Sequence, residues 1–247
     1  MKKKQNKFWE MKMSANEGEA DIFIYGDIER YKWIEEDTTA QSFKEDLDSL
    51  GDVSAINLYI NSPGGAVFEG VAIYNMLKRH KARINVHVDA LAASIASVIA
   101  MAGDTIFMPK NSMMMIHNPW TFAIGNAEEL RKQADDLDRI GQSVRQSYLG
   151  KAGDKLTEEK LQEMLDAETW LSADEAHSYG LCDVVEEANQ MAASVSDVLA
   201  HYKNVPKSLK EQPKNVISAE EMAERQRIAE EAKANSTYLD TILGGMV

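Results

Sequence analysis

The sequence has 247 residues, enough for one sizeable core, and 40 acidic against 27 basic residues give a formal net charge of −13. Such a surface repels nucleic acid and anionic lipid, so neither is expected as a main partner. The single cysteine, Cys182, excludes an intrachain disulfide and indicates a reducing compartment. The longest mostly apolar run, residues 90–103, is too short to span a bilayer. A soluble cytoplasmic protein is therefore expected.

Residues 1–20 are mainly polar and are predicted to be a flexible N-terminal segment. The apolar Phe8, Trp9 and Met11 within it form either a strand patch on the domain or a docking segment for a partner. Hydrophobic patterns then predict strands over residues 21–28, 54–60, 84–88, 105–108 and 113–116, and helices over residues 37–50, 68–80 and 94–102. Successive strand–helix–strand units imply an α/β fold with a mainly parallel sheet and right-handed crossovers.

A long helix is predicted over residues 126–149, with a narrow apolar stripe on a highly charged rod. Such a helix can project and pack on another subunit, and packing within its own chain is the alternative. Two shorter helices and a strand follow, over residues 156–165, 173–179 and 181–185. They complete a domain predicted to span residues 21–188. Residues 189–247 are predicted to be a helical C-terminal extension with a linker over residues 204–215, which acts as a docking element or is simply solvated.

Ser94 is the first candidate for chemistry, because it lies where a predicted strand gives way to a helix. Free backbone N–H groups and the positive end of the helix dipole meet at such a point. A serine there can attack a carbonyl carbon while the neighbouring amides hold the oxyanion. Capping of the helix is the alternative role. Ser97 is a rival nucleophile, but inside a helix its hydroxyl more often bonds back to a carbonyl.

A glycine turn is the second candidate feature, in the sequence NSPGG over residues 61–65. Its two glycines permit backbone conformations that can direct an N–H group toward a site. A simple turn between a strand and a helix explains the sequence equally well. A phosphate loop does not, because no GK[ST] follows.

His117 is the third candidate, since it ends the predicted strand over residues 113–116 and can deliver a general base from there. A histidine packed in the core is the alternative. A triad also needs a carboxylate to orient the imidazole, and Asp166 and Glu168 are the local candidates. No cluster has the spacing of zinc ligands, so neither a metal nor a cofactor is expected.

Four stretches together resemble the family of the Clp protease proteolytic subunit, ClpP, within the crotonase-like superfamily. They are INSPGG (60–65), the serine motif from Ala92 to MAGD (92–104), PKNSMMMIHNP (109–119) and WLSADEAHSYGLCD (170–183). They follow family order and spacing and cover roughly residues 20–187. The start FWEMK and the sequences VDALAAS and ETWLS resemble prophage-encoded members, some of which are head-maturation proteases. The resemblance implies repeated β-β-α units and a projecting handle helix, which falls at about residues 126–149.

The resemblance also assigns roles to individual residues. It implies that Ser94 is the nucleophile and His117 the base of a serine endopeptidase. It places the amides of the oxyanion hole on Gly65 and Ile95.

The third member of the family triad is usually an aspartate two residues before the aromatic residue of the F/W-x-S motif. This position holds Glu168, whose side chain is one methylene longer and must approach the imidazole from a different backbone position. Asp166 is the alternative third member. Ala90 also stands where many relatives have glycine.

The resemblance further implies a homo-oligomer, a heptameric ring or two stacked rings, that encloses a chamber for polypeptide substrates supplied by a AAA+ unfoldase. The departure at Glu168 and the C-terminal extension leave a second hypothesis open, a ring-forming structural or assembly protein with weak or no activity. Acyl-CoA chemistry is a third hypothesis, since crotonases share the fold. It is disfavoured because crotonases commonly use acidic residues without a serine–histidine pair.

Overall fold

The computed structural model describes residues 7–29, 39–188 and 202–206, all of which belong to one unit that spans residues 1–210. Within these residues, eight strands form one sheet: β1 (Trp9–Met13), β2 (Glu19–Tyr25), β3 (Ala55–Ser62), β4 (Arg83–Ala93), β5 (Thr105–Pro109), β6 (Met113–Ile116), β7 (Thr169–Ser172) and β8 (Val184–Glu186). The helices are α1 (Ala40–Ser49), α2 (Val67–Arg79), α3 (Ile95–Ala100), α4 (Ala127–Ala152), α5 (Glu158–Asp166) and α6 (Ala173–Ser178), and a short 3-10 turn follows α4 at Gly153–Lys155. The predicted α/β fold is confirmed.

The sheet runs in the order β1-β2-β3-β4-β5-β8, and every pair in this path is parallel except β1 with β2. Strand β4 is long enough to pair twice on the same side. Its first half pairs with β5, and its end pairs with β6, which continues antiparallel into β7. This fork sets the ends of β4 and β6 side by side, and the two candidate residues Ser94 and His117 follow those ends.

The core lies between the sheet and the helices, and β3 illustrates how the sequence makes it. Ile56, Leu58 and Ile60 are fully buried and alternate with partly exposed residues, as expected for a strand with one face on a core. All six residues of α3 are buried, because this short helix is apolar or small on every side. Helix α3 is therefore a rigid support directly behind Ser94.

Within the N-terminal segment that the sequence predicts to be flexible, Trp9–Met13 form strand β1, as in the strand alternative given for Phe8, Trp9 and Met11. Strand β1 pairs with β2 in antiparallel register and covers what would otherwise be an open sheet edge. The Trp9 ring lies against Phe43, and its indole N–H donates to Asp46 at 2.7 Å. Burial of Phe8 and Trp9 supplies the apolar contact that holds this strand on the domain.

Helix α4 is exposed along its first half and packed within its own chain along its second half, so each alternative from the sequence describes one half. Its start is capped by Asn126 and Glu129, and its first half is largely exposed. Its second half packs within the chain, through the buried residues Val144 and Tyr148. No helix among the described residues is long and apolar enough to cross a membrane. The predicted C-terminal extension lies outside the described residues except for residues 202–206, and the domain boundary near residue 188 stays a prediction.

Candidate active site

Ser94 occupies the junction between β4 and α3 in an unusual backbone conformation, with φ 53° and ψ −127°. Only Ser94 and Glu168 have positive φ among the described residues other than glycine. Such a conformation costs about 1–3 kcal/mol and persists only where the surroundings impose it. Here the buried helix α3 lies on one side, and the Ser94 N–H donates to the carbonyl of Met115 at 2.8 Å. The Ser94 hydroxyl makes no capping hydrogen bond to α3, so the capping alternative does not hold.

His117 lies against Ser94, with its Nε2 atom 2.7 Å from Oγ. The sheet explains this contact, because Ala93 and Met115 are partners in the register of β4 and β6, and the two chains continue from there. Burial lowers the pKa of His117, the charge of Glu168 opposes that effect, and Lys203 adds to it. The imidazole is therefore neutral at pH 7 and able to accept the serine proton.

The glycine turn after β3 packs directly on the serine. A Cβ atom on Gly64 would lie 2.7 Å from the Ser94 Cβ, and one on Gly65 would lie 2.1 Å from the carbonyl oxygen of Ile28. Both glycines have positive φ, of 99° and 145°. Two hydrogen bonds pin the turn to Ile28: the Ile28 N–H donates to the Gly64 carbonyl, and the Ala66 N–H donates to the Ile28 carbonyl. Only glycine fits at either position.

The two predicted oxyanion amides belong to this assembly. Gly65 lies in the pinned turn, and Ile95 is the first residue of α3, where an N–H group has no partner within the helix. In the part of the chain that the structure describes, neither N–H donates a hydrogen bond. The structure thus brings Ser94, His117, Gly65 and Ile95 into one place.

The two candidate carboxylates are engaged elsewhere. Glu168, 7% exposed, accepts the backbone N–H of Lys203 at 2.8 Å on Oε2 and that of Asn204 at 2.6 Å on Oε1. Asp166 accepts hydrogen bonds from Asn118 and Gln162 at 2.7 and 2.6 Å. Within the described ranges, neither carboxylate makes a hydrogen bond to His117. Glu168 acts on the imidazole only through its charge.

Tyr202 is a site residue that the sequence analysis missed. Its ring meets the His117 ring edge-on, with centroids 5.1 Å apart, and its hydroxyl donates to the carbonyl of Pro63. Burial raises the pKa of Tyr202 to about 12, and a hydrogen bond with Ser94 opposes that rise. Nothing in the local sequence marks this tyrosine, since it is an isolated aromatic residue beyond the matching motifs. Only the folded chain brings it to the site.

Ser97, the rival nucleophile, is fully buried, and its hydroxyl is engaged in two hydrogen bonds inside the protein. Its hydroxyl donates to the Ser94 carbonyl at 2.6 Å, as expected for a serine inside a helix. Its oxygen lies 2.7 Å from the Tyr148 hydroxyl, which must be the donor because Ser97 has only one proton. This pair forms a polar support beneath Ser94.

Two cavities open at the serine–histidine pair. The larger, of about 430 Å³, is lined by the Ser94–His117 pair, Gly65 and Tyr202, and by the exposed aromatic residues Trp120 and Phe122. The smaller is an apolar recess beneath it, lined mainly by Val67, Ile95, Val98, Val144 and Tyr148. The recess holds only about 10 Å³, whereas the larger cavity is the size of a ligand cleft and suits an extended peptide chain beside the Ser94–His117 pair.

Comparison with known proteins places these motifs in a family. The sequence model described as "Clp protease" matches residues 4–189. A curated relative, the "ATP-dependent Clp protease proteolytic subunit 1" of Salinibacter ruber, is 34% identical over 147 residues, which is 58% of this chain. The chain spans 62% of the length of that relative.

Proposed function

The chain belongs to the Clp protease family, and from this premise we propose that it is a serine endopeptidase of the ClpP type. The observation that carries the proposal is the 2.7 Å contact between Ser94 Oγ and His117 Nε2, beside two N–H groups that have no partner among the described residues. A hydroxyl, a neutral base and free amides within one cleft are the groups that acyl transfer needs.

In the proposed reaction, Ser94 Oγ attacks the carbonyl carbon of a peptide while His117 Nε2 takes the serine proton. The developing oxyanion accepts hydrogen bonds from the N–H groups of Gly65 and Ile95, each worth about 3–4 kcal/mol in measured cases. His117 then gives the proton to the leaving amine, and an acyl-enzyme remains on Ser94. Water, activated by the same imidazole, hydrolyses the ester and regenerates the hydroxyl.

We assign the third role to Glu168, with Asp166 as the alternative. Its buried carboxylate raises the pKa of His117 against the effect of burial, which means that it stabilises the imidazolium formed during the reaction. Asp166 is held by Asn118 and Gln162 at the exposed end of α5, and its charge has no effect of that kind on His117.

The proposal extends to assembly and partners. A homo-oligomeric ring, heptameric by family resemblance, would pack through the exposed first half of α4 and enclose the cleft in a chamber. Its substrates would be unfolded polypeptides or phage and prophage proteins in the cytoplasm, delivered by a AAA+ unfoldase. The name of the Salinibacter ruber relative, a subunit of an ATP-dependent protease, supports such a partner.

The test combines an active-site label with hydrolysis. A fluorophosphonate probe is expected to label the full-length protein at Ser94, and a fluorogenic peptide is expected to be cleaved. Ser94→Ala should abolish both while the oligomer persists, whereas the matched control Ser97→Ala should keep both. Full activity in Ser94→Ala would refute the assignment.

A second candidate function is a ring-forming assembly protein without peptidase activity. One observation favours it: both candidate carboxylates are bonded elsewhere and, in the described part of the chain, none orients His117. An intact ring that neither reacts with the probe nor cleaves peptide would establish this alternative.

A further inference from the structure

Residues 202–206, which we call the Tyr202 segment, lie beyond the end of the family match at residue 189 and nevertheless pack at the site. Tyr202 and Val205 are each 6% exposed. They complete a small apolar cluster with Leu91, Ala93 and Met115, at the fork between β4 and β6. The segment is therefore a docked part of the domain, in contact with the strands that lead to Ser94 and His117.

Glu168 anchors this segment through its main chain. Both carboxylate oxygens accept backbone N–H groups, from Lys203 and Asn204, and the Asn204 side chain donates to the Ala167 carbonyl at 2.7 Å. A buried carboxylate needs such donors, and two successive amides satisfy it well. The oxygens that a triad would direct at His117 are thus used to hold the segment.

Tyr202 in turn touches each part of the proposed machinery. Its ring meets the imidazole of His117 edge-on. Its hydroxyl donates to Pro63, directly before the two glycines of the oxyanion turn, and also lies at Ser94. In a Ser–His–carboxylate triad the carboxylate fixes the orientation of the imidazole; here a packed aromatic ring contacts the imidazole, while no carboxylate among the described residues bonds to it.

We propose that Tyr202 is a positioning residue, which fixes the His117 ring and the glycine turn while Glu168 holds the Tyr202 segment in place. The inference deepens the proposed peptidase function and rests on it. Tyr202 lines a cavity of about 430 Å³ that stays open beside Ser94, so the tyrosine supports the site rather than filling it.

The experiment uses the full-length chain with Tyr202→Ala, which removes ring and hydroxyl, and Tyr202→Phe, which removes the hydroxyl alone. Tyr202→Ala is expected to lower kcat more than tenfold with KM changed less than threefold. The pH profile of kcat/KM should shift to a higher apparent pKa, because water reaches the imidazole. Tyr202→Phe keeps the ring, so its pH profile of kcat/KM should match that of the wild type, and its kcat should fall only a few-fold. Tyr25→Phe, which removes another tyrosine hydroxyl bond, is the control and should match wild type.

Several outcomes overturn the proposal while leaving the peptidase intact. One is an unchanged kcat and pH profile in Tyr202→Ala, with Ser94 still labelled. Another is a rise in kcat, which would identify the segment as an inhibitory cover. If Tyr202→Ala fails to fold, Tyr202→Phe decides alone: a kcat equal to wild type refutes the role of the hydroxyl at the glycine turn. Absence of labelling in the wild-type protein would instead refute the peptidase proposal itself.

Discussion

The two sides of His117 differ in how the chain builds them. The Ser94 side depends on neighbouring strands, β4 and β6, and on a glycine turn locked by main-chain hydrogen bonds. The Glu168 side depends on a distant segment whose backbone amides occupy the carboxylate. The position of Ser94, the proposed nucleophile, is therefore built into the sheet, whereas our proposal makes the orientation of His117, the proposed base, depend on a contact from outside the residues that match the family.

The largest expected effect is on the Ser94 side, in Gly65→Ala. The added Cβ would lie 2.1 Å from the Ile28 carbonyl oxygen, at a φ of 145° that alanine rarely adopts. The turn must move, so we expect a loss of kcat/KM of about 100-fold or more, the effect of losing an oxyanion donor. The measurement is peptide hydrolysis on folded protein.

Gly150→Ala is the matched control, because nothing lies within 4 Å of the added Cβ in helix α4. It should leave activity unchanged and raise the free energy of unfolding by about 0.5–1 kcal/mol. If Gly65→Ala behaves as Gly150→Ala does, the Ser94 side is less rigid than the comparison requires.

The second effect concerns the carboxylates, compared through Glu168→Gln and Asp166→Asn. Glu168→Gln removes the charge that stabilises the imidazolium and replaces one acceptor of a backbone N–H with a donor. A fall in kcat of about 10- to 100-fold is expected, within the range of general acid–base contributions. Asp166→Asn should change kcat less than twofold. Reversed effects would identify Asp166 as the third member.

The third effect is on pH dependence, set by His117. Because burial lowers its pKa below 6.5 and the base must be neutral, kcat/KM should rise with pH, with a midpoint below 6.5, and be level at pH 7. Between the lowered pKa of folded His117 and 6.5, the unfolded chain binds more protons at this histidine than the folded chain does. His117 therefore makes the free energy of unfolding fall as the pH drops below 6.5. A midpoint above 7 in the pH–rate profile would contradict the buried neutral imidazole.

The smallest effect is expected behind the serine, in Tyr148→Phe. The Ser97 oxygen would lose its donor, which should cost about 1 kcal/mol of the free energy of unfolding, measured by denaturant titration. Ser97 still donates to the Ser94 carbonyl, so kcat should stay within twofold of wild type. A large loss of kcat with unchanged stability would mean that the Ser94 side depends on this buried pair for geometry.

Patterns of the sequence predicted the sheet and the helices because local spacing decides them. Alternation in β3 and the all-apolar α3 could each be read directly from the residues. The same patterns placed Ser94 and His117 at element ends, and motif order suggested that they meet. Strand β1 agrees with the strand interpretation of Phe8, Trp9 and Met11 inside a segment otherwise predicted to be flexible, and it is stable because β2 offers an edge on which it pairs.

By itself, the sequence determined the α/β class, the strand–helix junction that carries Ser94 and the glycines that only a tight turn needs. Tertiary structure alone decided that β4 forks, that the Glu168 carboxylate accepts the amides of residues 203 and 204, and that Tyr202 contacts His117. The physical reason is range: propensity and periodicity act between near neighbours. A carboxylate, by contrast, takes whichever donors the folded chain brings to it, and no local pattern records which those are.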